Sequence, residues 1–315
     1  MANINKQIKF FYYIKSYMMR FLPASSYKRR IEKLEQNLTE AQLQNVSERV
    51  SYYCKLSEKP QVFSPKYTIR DLKNPVTPKT YYHDTYEYGR FFPQSFPISF
   101  VFGDVTEVPP IPSIVKSRPV SGENENSVLL KLDKARHFVW IRNDRPFPGK
   151  KDMLIGRGAV FQQHRHEFYR KYFDHPLCDL GQINTNGGNP EWTKKKISIE
   201  DHLEYKFILC LQGNDVATNL KWVMSSNSIA VMPKPTVETC FMEGKLEGGK
   251  HFIELKADYS DLDDQLNHYI SHPEDCLMII ENAHQHCEQF FNRNVEDLCS
   301  LRVLEKYFSF TSPKA

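Results

Sequence analysis

Short apolar runs alternate with helical patterns in the second half of the chain. Phe207–Leu211 is an apolar run that ends at Gln212-Gly213, and Ser228–Met232 is a second run closed by a proline. Apolar residues at helical spacing lie between the two runs: Leu220, Trp222, Val223 and Met224. The succession of strand, tight turn, helix and strand predicts a βαβ unit, in which parallel strands are buried on both faces.

The turn inside this unit is the first candidate for a binding site. Ligands of such units lie beyond the carboxyl ends of the strands, where a helix N-terminus offers unpaired N–H groups to an anion. The turn comprises Gly213, Asn214, Asp215, Val216, Ala217, Thr218 and Asn219, and Lys221 follows. Two interpretations are open: the turn holds a phosphate-bearing ligand, or it is a βα turn that binds nothing.

The same patterning continues along the rest of the chain. Further strands are predicted at Ile98–Phe102, Val115–Val120, Val128–Leu132, Met153–Gly156 and His251–Leu255. Helices are predicted at Ile31–Tyr53, Phe161–Phe173, Leu262–Ser271, Cys276–Asn292 and Val295–Phe308. A polar, proline-bearing connection near 138–149 predicts a domain boundary. We therefore expect domains at 1–138 and 139–292, with the C-terminal helix 293–315 able to pack back on the first.

Two N-terminal segments leave alternatives open. Residues 1–30 mix aromatic residues with lysine and arginine, which is typical of a helix at an anionic membrane surface, although the aromatic face could equally pack on the domain. Residues 60–97 are rich in tyrosine and proline and are predicted to form packed loops or a ligand surface.

Composition and charge narrow the function classes. The formal net charge of +4 gives no reason to expect nucleic-acid binding. The seven cysteines show no CxxC spacing and several fall in apolar patterns, so we expect reduced core residues in a reducing compartment. No apolar run is long enough to span a membrane, and the N-terminus lacks the pattern of a secretory signal.

Charged residues beside predicted strands are the remaining candidates. Asp104 directly follows the strand Ile98–Phe102, so it is either a general base or a cap of the next turn. Arg157 and Arg165 flank the start of a helical pattern, where a cation is unfavourable for the helix dipole and indicates an anionic partner. The run His164-Arg165-His166 is a weak metal motif, because histidines two residues apart on a helix point in different directions, and no isolated DxD motif follows a strand, so no metal site is predicted.

Four motifs in this order resemble glycosyltransferase family 90. They are FGD followed by VTEVP around Asp104, RGAVFQQHR from Arg157 to Arg165, YKFILCLQGNDVATNLKW, and SNSIAVMPKPTVETCFMEG. The family includes protein O-glucosyltransferases of the Rumi type, fungal capsule xylosyltransferases and bacterial lipopolysaccharide A proteins, and the last two motifs look most like the bacterial group. The resemblance implies an α/β GT-B fold of two Rossmann-like domains facing across a cleft. It also implies an inverting mechanism and a UDP-sugar donor, with no cofactor and no obligatory metal.

The resemblance also implies roles for individual residues. Asp104 matches the catalytic base. Arg157, Gly158, Ala159 and Arg165 match the element that contacts the donor diphosphate and sugar, with Ala159 in place of the family's serine. Residues Gly213 to Asn219 match the phosphate-binding turn, where Asn219 replaces an arginine and Lys221 or Arg165 would have to compensate. Glu238 matches a carboxylate that binds the nucleotide ribose.

The sequence therefore predicts an inverting glycosyltransferase that moves a hexose or pentose from a UDP-sugar to a hydroxyl of a lipopolysaccharide core or another surface glycan. The alternatives are a non-catalytic nucleotide-sugar-binding module, suggested by Ala159 and Asn219, and a protein O-glycosyltransferase. We expect a cytoplasmic protein, peripheral on the inner face of the bacterial cytoplasmic membrane if residues 1–30 bind lipid. The expected partners are the donor, a glycan or glycolipid acceptor and that anionic surface, with no nucleic acid.

Overall fold

The computed structural model describes residues 11–312 and has a mixed α/β fold with parallel sheets. The chain divides into two compact units. Of the described residues, the first unit contains 11–137, 236–243 and 289–312, and the second contains 138–235 and 244–288. The chain thus passes from the first unit to the second, returns briefly at 236–243, and ends in the first.

Helical residues 11–18 precede ten helices whose bounds lie wholly within the described residues. These helices are α1 Tyr27–Glu35, α2 Glu40–Tyr53, α3 Lys79–Gly89, α4 Lys134–His137, α5 Gln163–Tyr172, α6 Ile199–His202, α7 Leu220–Met224, α8 Leu262–Ser271, α9 Pro273–Glu288 and α10 Arg293–Thr311. The predicted helix over Ile31–Tyr53 is interrupted, because Thr39 begins a new helix with a capping box to Gln42.

Twelve strands are present within the same residues. They are β1 Tyr67–Thr68, β2 Pro97–Ile98, β3 Phe100–Val101, β4 Ser113–Val115, β5 Ser117–Pro119, β6 Ser127–Leu129, β7 Lys151–Gly158, β8 Cys178–Gln182, β9 Tyr205–Leu209, β10 Ile229–Pro233, β11 Val237–Thr239 and β12 Ile253–Leu255. The predicted strand Ile98–Phe102 is thus split in two. Its first part pairs antiparallel with β1 and its second part pairs parallel with β4.

The second unit is built on a five-stranded sheet in the order β12-β10-β9-β7-β8, and every pair in it is parallel. The strands are apolar because helices cover both faces, and Leu154, Phe207, Val231 and Ile253 are fully buried. The predicted βαβ unit is confirmed: β9 and β10 are parallel neighbours joined through α7. The carboxyl ends of β7 and β9 therefore lie side by side.

The first unit holds a smaller parallel sheet, β3-β4-β6, and a two-stranded sheet, β5-β11. The β5-β11 pairing changes the predicted domain boundary. Residues 236–243, expected in the C-terminal domain, belong to the first unit because Val237–Thr239 pairs antiparallel with Ser117–Pro119. The C-terminal helix α10 also lies in this unit, where it packs on α1 and α2.

The tyrosine-rich segment 81–93, expected as packed loops or a ligand surface, is largely helical. It falls mostly within α3, which begins at Lys79 directly after Pro78. Tyr81, Tyr86 and Tyr88 are buried, so the aromatic residues of this run mainly fill the core of the first unit.

Candidate donor site and its comparison with known proteins

The side chain of Arg165 joins the carboxyl ends of two neighbouring parallel strands. It begins near the start of α5, and its guanidinium donates hydrogen bonds to three backbone carbonyls. Nε donates to Gln212 at 2.8 Å, Nη1 to Ala159 at 2.7 Å and Nη2 to Leu211 at 2.7 Å. The segments after β7 and β9 are therefore held together by one cation.

No carboxylate lies within 4.0 Å of this guanidinium in residues 11–312, so its charge is not balanced by an ion pair. Burial lowers the pKa of Arg165, but an arginine remains protonated at neutral pH. A partly buried cation without a counter-charge, at the carboxyl edge of a parallel sheet, attracts an anionic ligand.

Two glycines line the guanidinium. A Cβ atom at Gly158 would lie 3.7 Å from Nη1 of Arg165, and one at Gly213 would lie 3.6 Å from Nη2. Neither glycine has a positive φ, and both distances correspond to ordinary van der Waals contact. The backbone beside the guanidinium therefore carries no side chain at these two positions.

Arg157 lies in β7, and its guanidinium is paired with another residue of the protein. Nη2 donates to Oδ1 of Asp179 at 2.7 Å, and Nη1 donates to the backbone carbonyl of Asp179 at 2.6 Å. Its Nε is buried and has no acceptor in the described part of the chain. Gly181 makes room for this arrangement, because a Cβ there would lie 3.0 Å from Cδ of Arg157.

Asp179 is the centre of a small polar network on β8. Lys194 donates to Oδ1 at 3.0 Å and the Tyr205 hydroxyl donates to Oδ2 at 2.9 Å. Burial alone would raise the pKa of Asp179, but hydrogen bonds from Arg157, Lys194 and Tyr205 outweigh it and lower the pKa to about 2. Arg157 thus joins β7 to β8 through Asp179, and a contact with the donor stays a prediction.

The turn from Gly213 to Asn219 leads into α7, which has only five residues. Few aligned peptide dipoles add up over so short a helix, so its N-terminus contributes little to anion binding. Asn214 is exposed and accepts from Gln162 at 2.8 Å, whereas Asp215, Val216 and Ala217 are buried. Thr218 is half-buried. The guanidinium of Arg165, rather than the helix, is the main positive group beside this turn.

Asn219, which replaces the family's arginine, has a structural contact of its own. Its amide Nδ2 donates to the carbonyl of Leu209 at 2.9 Å and so holds the end of β9. Lys221, expected to supply the missing charge, is fully buried, with Nζ 5.5 Å from the Phe138 ring centroid. Of the two cations expected to compensate, Lys221 is thus buried and Arg165 is partly accessible.

In the first unit, Asp104 follows β3 and forms an ion pair with Lys116. Nζ of Lys116 donates to Oδ1 of Asp104 at 2.6 Å, and the side chain of Asp104 remains 27% exposed. Lys116 itself is buried. One carboxylate oxygen is therefore oriented by the lysine, while the side chain still reaches solvent, which suits a group that must meet an acceptor hydroxyl.

Asp133 lies near this ion pair and has an unusual backbone. Its φ is 52°, a conformation that costs energy in a residue other than glycine and is common at functional sites. Burial raises the pKa of Asp133, and the charge of Asp104 raises it further, against the lowering effect of Arg136 and Lys116. Asp104 and Asp133 thus both interact electrostatically with the buried Lys116.

Glu238 is a buried structural residue in β11. Oε1 accepts from Nε of Arg118 at 2.8 Å, and Oε2 accepts from the Tyr52 hydroxyl. Only 1% of Glu238 is exposed, and it lies in the first unit, whereas the sequence expected it in the nucleotide-binding domain. Its carboxylate already has partners for both oxygens, which leaves the expected ribose contact without support.

Sequence reasoning missed Lys116, Asp133 and Asp179. A signal for Lys116 was present, because the predicted strand Val115–Val120 contains two cations among buried positions, and a buried cation requires an anionic partner. Asp179 carried no local signal, since its partners come from β7, β9 and the segment after β8.

Within residues 11–312 no group of three or more His, Cys, Asp and Glu side chains comes together as metal ligands would. Over the same residues, no helix combines the length and apolar character needed to cross a membrane. All seven cysteines are buried and free.

The comparisons with known proteins point to one family. Residues 158–314 match the model of glycosyl transferase family 90. Over 313 residues the chain is 40% identical to the O-glucosyltransferase LpsA of Dichelobacter nodosus, with 98% of this chain and 97% of the relative covered. The matched residues begin inside β7 and include Arg165 and the turn beside it. The chain therefore belongs to glycosyl transferase family 90.

Proposed function

We propose that the protein transfers a sugar from a UDP-sugar to a hydroxyl acceptor, and that Arg165 binds the diphosphate of the donor. The observation that carries this proposal is the guanidinium without a carboxylate partner, flanked by Gly158 and Gly213 at the carboxyl ends of β7 and β9. Departing UDP develops negative charge, and a fixed cation there stabilises the transition state. Because a guanidinium supplies this charge, we propose that no metal is obligatory, and EDTA should leave activity unchanged.

We propose Asp104 as the general base of an inverting reaction. The acceptor oxygen forms a bond to the anomeric carbon, the bond from that carbon to UDP breaks, and the acceptor proton passes to Asp104. The exposure of Asp104 and its hydrogen bond from Lys116 support this role. We also propose a GT-B fold, because each of the two units contains a parallel sheet.

Asp104→Asn tests the role of the base. The loss of a general base typically slows a reaction about 10²- to 10⁴-fold, so sugar transfer should fall by that factor while UDP binding in calorimetry is retained. Glu107→Gln is the matched control, because it removes an exposed carboxylate three residues along the chain. Transfer at the unmodified rate in a folded Asp104→Asn variant would contradict the assignment.

For the substrates we propose glucose as the donor sugar and a lipopolysaccharide core or other surface glycan as the acceptor. The name of the relative, O-glucosyltransferase LpsA, supports glucose and is compatible with a lipopolysaccharide. UDP-glucose, UDP-galactose and UDP-xylose should be compared, with truncated lipopolysaccharide and acceptor peptides tested separately. Transfer to peptides alone would favour a protein O-glycosyltransferase. UDP binding without turnover on any acceptor would favour a non-catalytic module.

We also propose that the protein lies on the inner face of the cytoplasmic membrane. Residues 1–10 of the expected basic helix lie outside the described residues. In the described part, Ser16 is buried, and the Tyr12 hydroxyl lies 2.8 Å from Oδ1 of Asp84 in α3. Large apolar side chains are exposed on the other side of the helix, namely Phe11, Ile14 and Met18, and in the segment that follows it, namely Phe21 and Leu22. One face thus packs on the unit, and the opposite face is suited to a lipid interface.

A further inference from the structure

A small cavity of about 150 Å³ lies in the first unit beside helical residues 11–18. Four cations line it, and these are Lys15, Arg30, Arg90 and Arg293. Two carboxylates, Glu87 and Asp297, are the acidic residues of its wall. The cavity brings together residues from the N-terminal helical segment, α1, the end of α3 and the start of α10.

The carboxylates only partly balance these cations. Arg30 and Arg293 share Asp297, at distances of 3.6 Å and 4.0 Å that exceed hydrogen-bond length. Asp297 already accepts a hydrogen bond from the Tyr88 hydroxyl at 2.9 Å. Glu87 is likewise divided between Lys15 and Lys134. Each carboxylate thus serves two cations, which leaves positive charge in excess.

Arg90 adds a cation with no carboxylate within 4.0 Å in the part of the chain that the structure describes. Its Nη2 donates to the carbonyls of Leu22 and Pro23, each at 3.0 Å, while its Nε is buried without an acceptor. An unsatisfied donor at a cavity wall is a cost that an anionic ligand would remove.

We propose that this cavity binds a phosphomonoester, and that the ligand is the headgroup of a lipid in the membrane surface. A phosphomonoester carries about −1.5 to −2 charges near pH 7 and three acceptor oxygens, which matches an excess of two cations and several N–H donors. The exposed side chains of Met18, Phe21 and Leu22 lie in the adjoining segment. The choice of a lipid rests on the membrane attachment proposed above.

The test is the partition of the full-length protein onto vesicles of phosphatidylcholine that contain either phosphatidic acid or phosphatidylglycerol. The two sets are matched in surface charge, so a general attraction to anionic lipid treats them alike. Phosphatidic acid presents a phosphomonoester, and phosphatidylglycerol a phosphodiester. We expect the partition coefficient onto vesicles with phosphatidic acid to be about tenfold higher than onto vesicles with phosphatidylglycerol. This ratio corresponds to one additional charge-assisted hydrogen bond.

The variant Arg30→Gln with Arg293→Gln should abolish this preference. The control is Lys28→Gln with Arg29→Gln, which removes the same charge from the exposed face of α1 outside the cavity. The control should weaken both partitions and keep the preference. Asp297→Asn should strengthen binding to phosphatidic acid, because it removes the competing carboxylate, and misfolding would not produce that gain.

Equal partition onto the two lipids, or equal loss of preference in the two double variants, would overturn the proposal. Inorganic phosphate that raises the melting temperature through Arg30 and Arg293, without any preference among vesicles, would show a free-anion site and overturn the lipid assignment. UDP binding by the same samples tests the two proposals separately. If the donor-site proposal is wrong, the lipid preference should still be observed, and if the lipid-site proposal is wrong, UDP binding should still be observed.

Discussion

Arg157 and Arg165 belong to one short motif, yet their surroundings differ. Arg157 lies within a strand and forms an ion pair with Asp179, a carboxylate that it shares with Lys194. Arg165 lies at the beginning of a helix and meets only backbone carbonyls, which orient the guanidinium and leave its full charge. The comparison shows that two cations of one short motif can have different partners, which is why we propose Arg165 as the one that binds the donor.

Among the variants that test this comparison, Arg165→Met should have the largest effect on UDP affinity. Loss of charge-assisted hydrogen bonds to the diphosphate, worth about 3 kcal/mol, should weaken UDP binding about 100-fold in calorimetry. Arg165→Lys should lie between this variant and the parent protein, because it keeps the charge and loses the planar geometry. Arg170→Met, on the exposed face of the same helix, is the control and should change affinity less than about twofold. Unaltered UDP affinity in folded Arg165→Met would remove the main support for the donor site.

Arg157→Met should instead act mainly on stability. Breaking its ion pair with Asp179 should lower the free energy of unfolding by about 2 kcal/mol in urea, less than for a fully buried pair because Lys194 and Tyr205 remain. UDP affinity should fall by less than about threefold. Adding Asp179→Asn should recover part of the lost stability, since the unpaired charge is removed. A loss of UDP affinity as large as that of Arg165→Met would contradict the contrast between the two arginines.

The pH dependence of stability should report the same ion pair. The pKa of Asp179 is about 2 in the folded protein and near 4 when unfolded, so the folded state favours the ionised form. Its contribution is fully present above about pH 4 and is lost as the pH falls through 2. Urea unfolding between pH 5 and pH 2.5 should therefore show a smaller decline in Asp179→Asn than in the parent protein. Identical declines would mean that Asp179 is not held in its ionised form.

The smallest effect is expected at Asn219. Asn219→Ala removes one hydrogen bond to the carbonyl of Leu209 and should cost about 1 kcal/mol of unfolding free energy, with less than about twofold change in UDP affinity. Asn214→Ala is the control, since its hydrogen bond to Gln162 is exposed and should be worth less. If Asn219→Ala changed the free energy of UDP binding by more than it changed the free energy of unfolding, the result would place Asn219 in the donor site.

Much of the fold of the second unit could be predicted from local pattern. The runs Phe207–Leu211 and Ser228–Met232 are apolar over strand length and are separated by a helical pattern, which few arrangements other than βαβ can satisfy. Leu262–Ser271 was predicted with its observed bounds because acidic residues begin the helical pattern. The strands of the first unit were harder to predict, because each has only two or three residues. So few positions do not show the alternation of apolar and polar residues that identifies a strand.

The sequence predicted that two of the candidate segments lie close together, but not how each charge is paired. The turn after β9 and the arginine-bearing segment after β7 meet because parallel neighbours end at the same edge of a sheet. The pairing of each charge could not be predicted in this way. Glu238 and Arg118 lie far apart in sequence, and only the β5-β11 ladder brings them together.

By itself the sequence determined the family, the parallel sheet of the second unit and the edge at which charged residues collect. These follow from apolar periodicity and from turn residues at fixed spacing, both of which are local properties. Only the tertiary structure decided that Arg157 pairs with Asp179, that Glu238 is enclosed in the first unit and that Arg165 has no carboxylate partner in residues 11–312. The physical reason is that a charge acts over a few ångströms in space, whatever its distance along the chain.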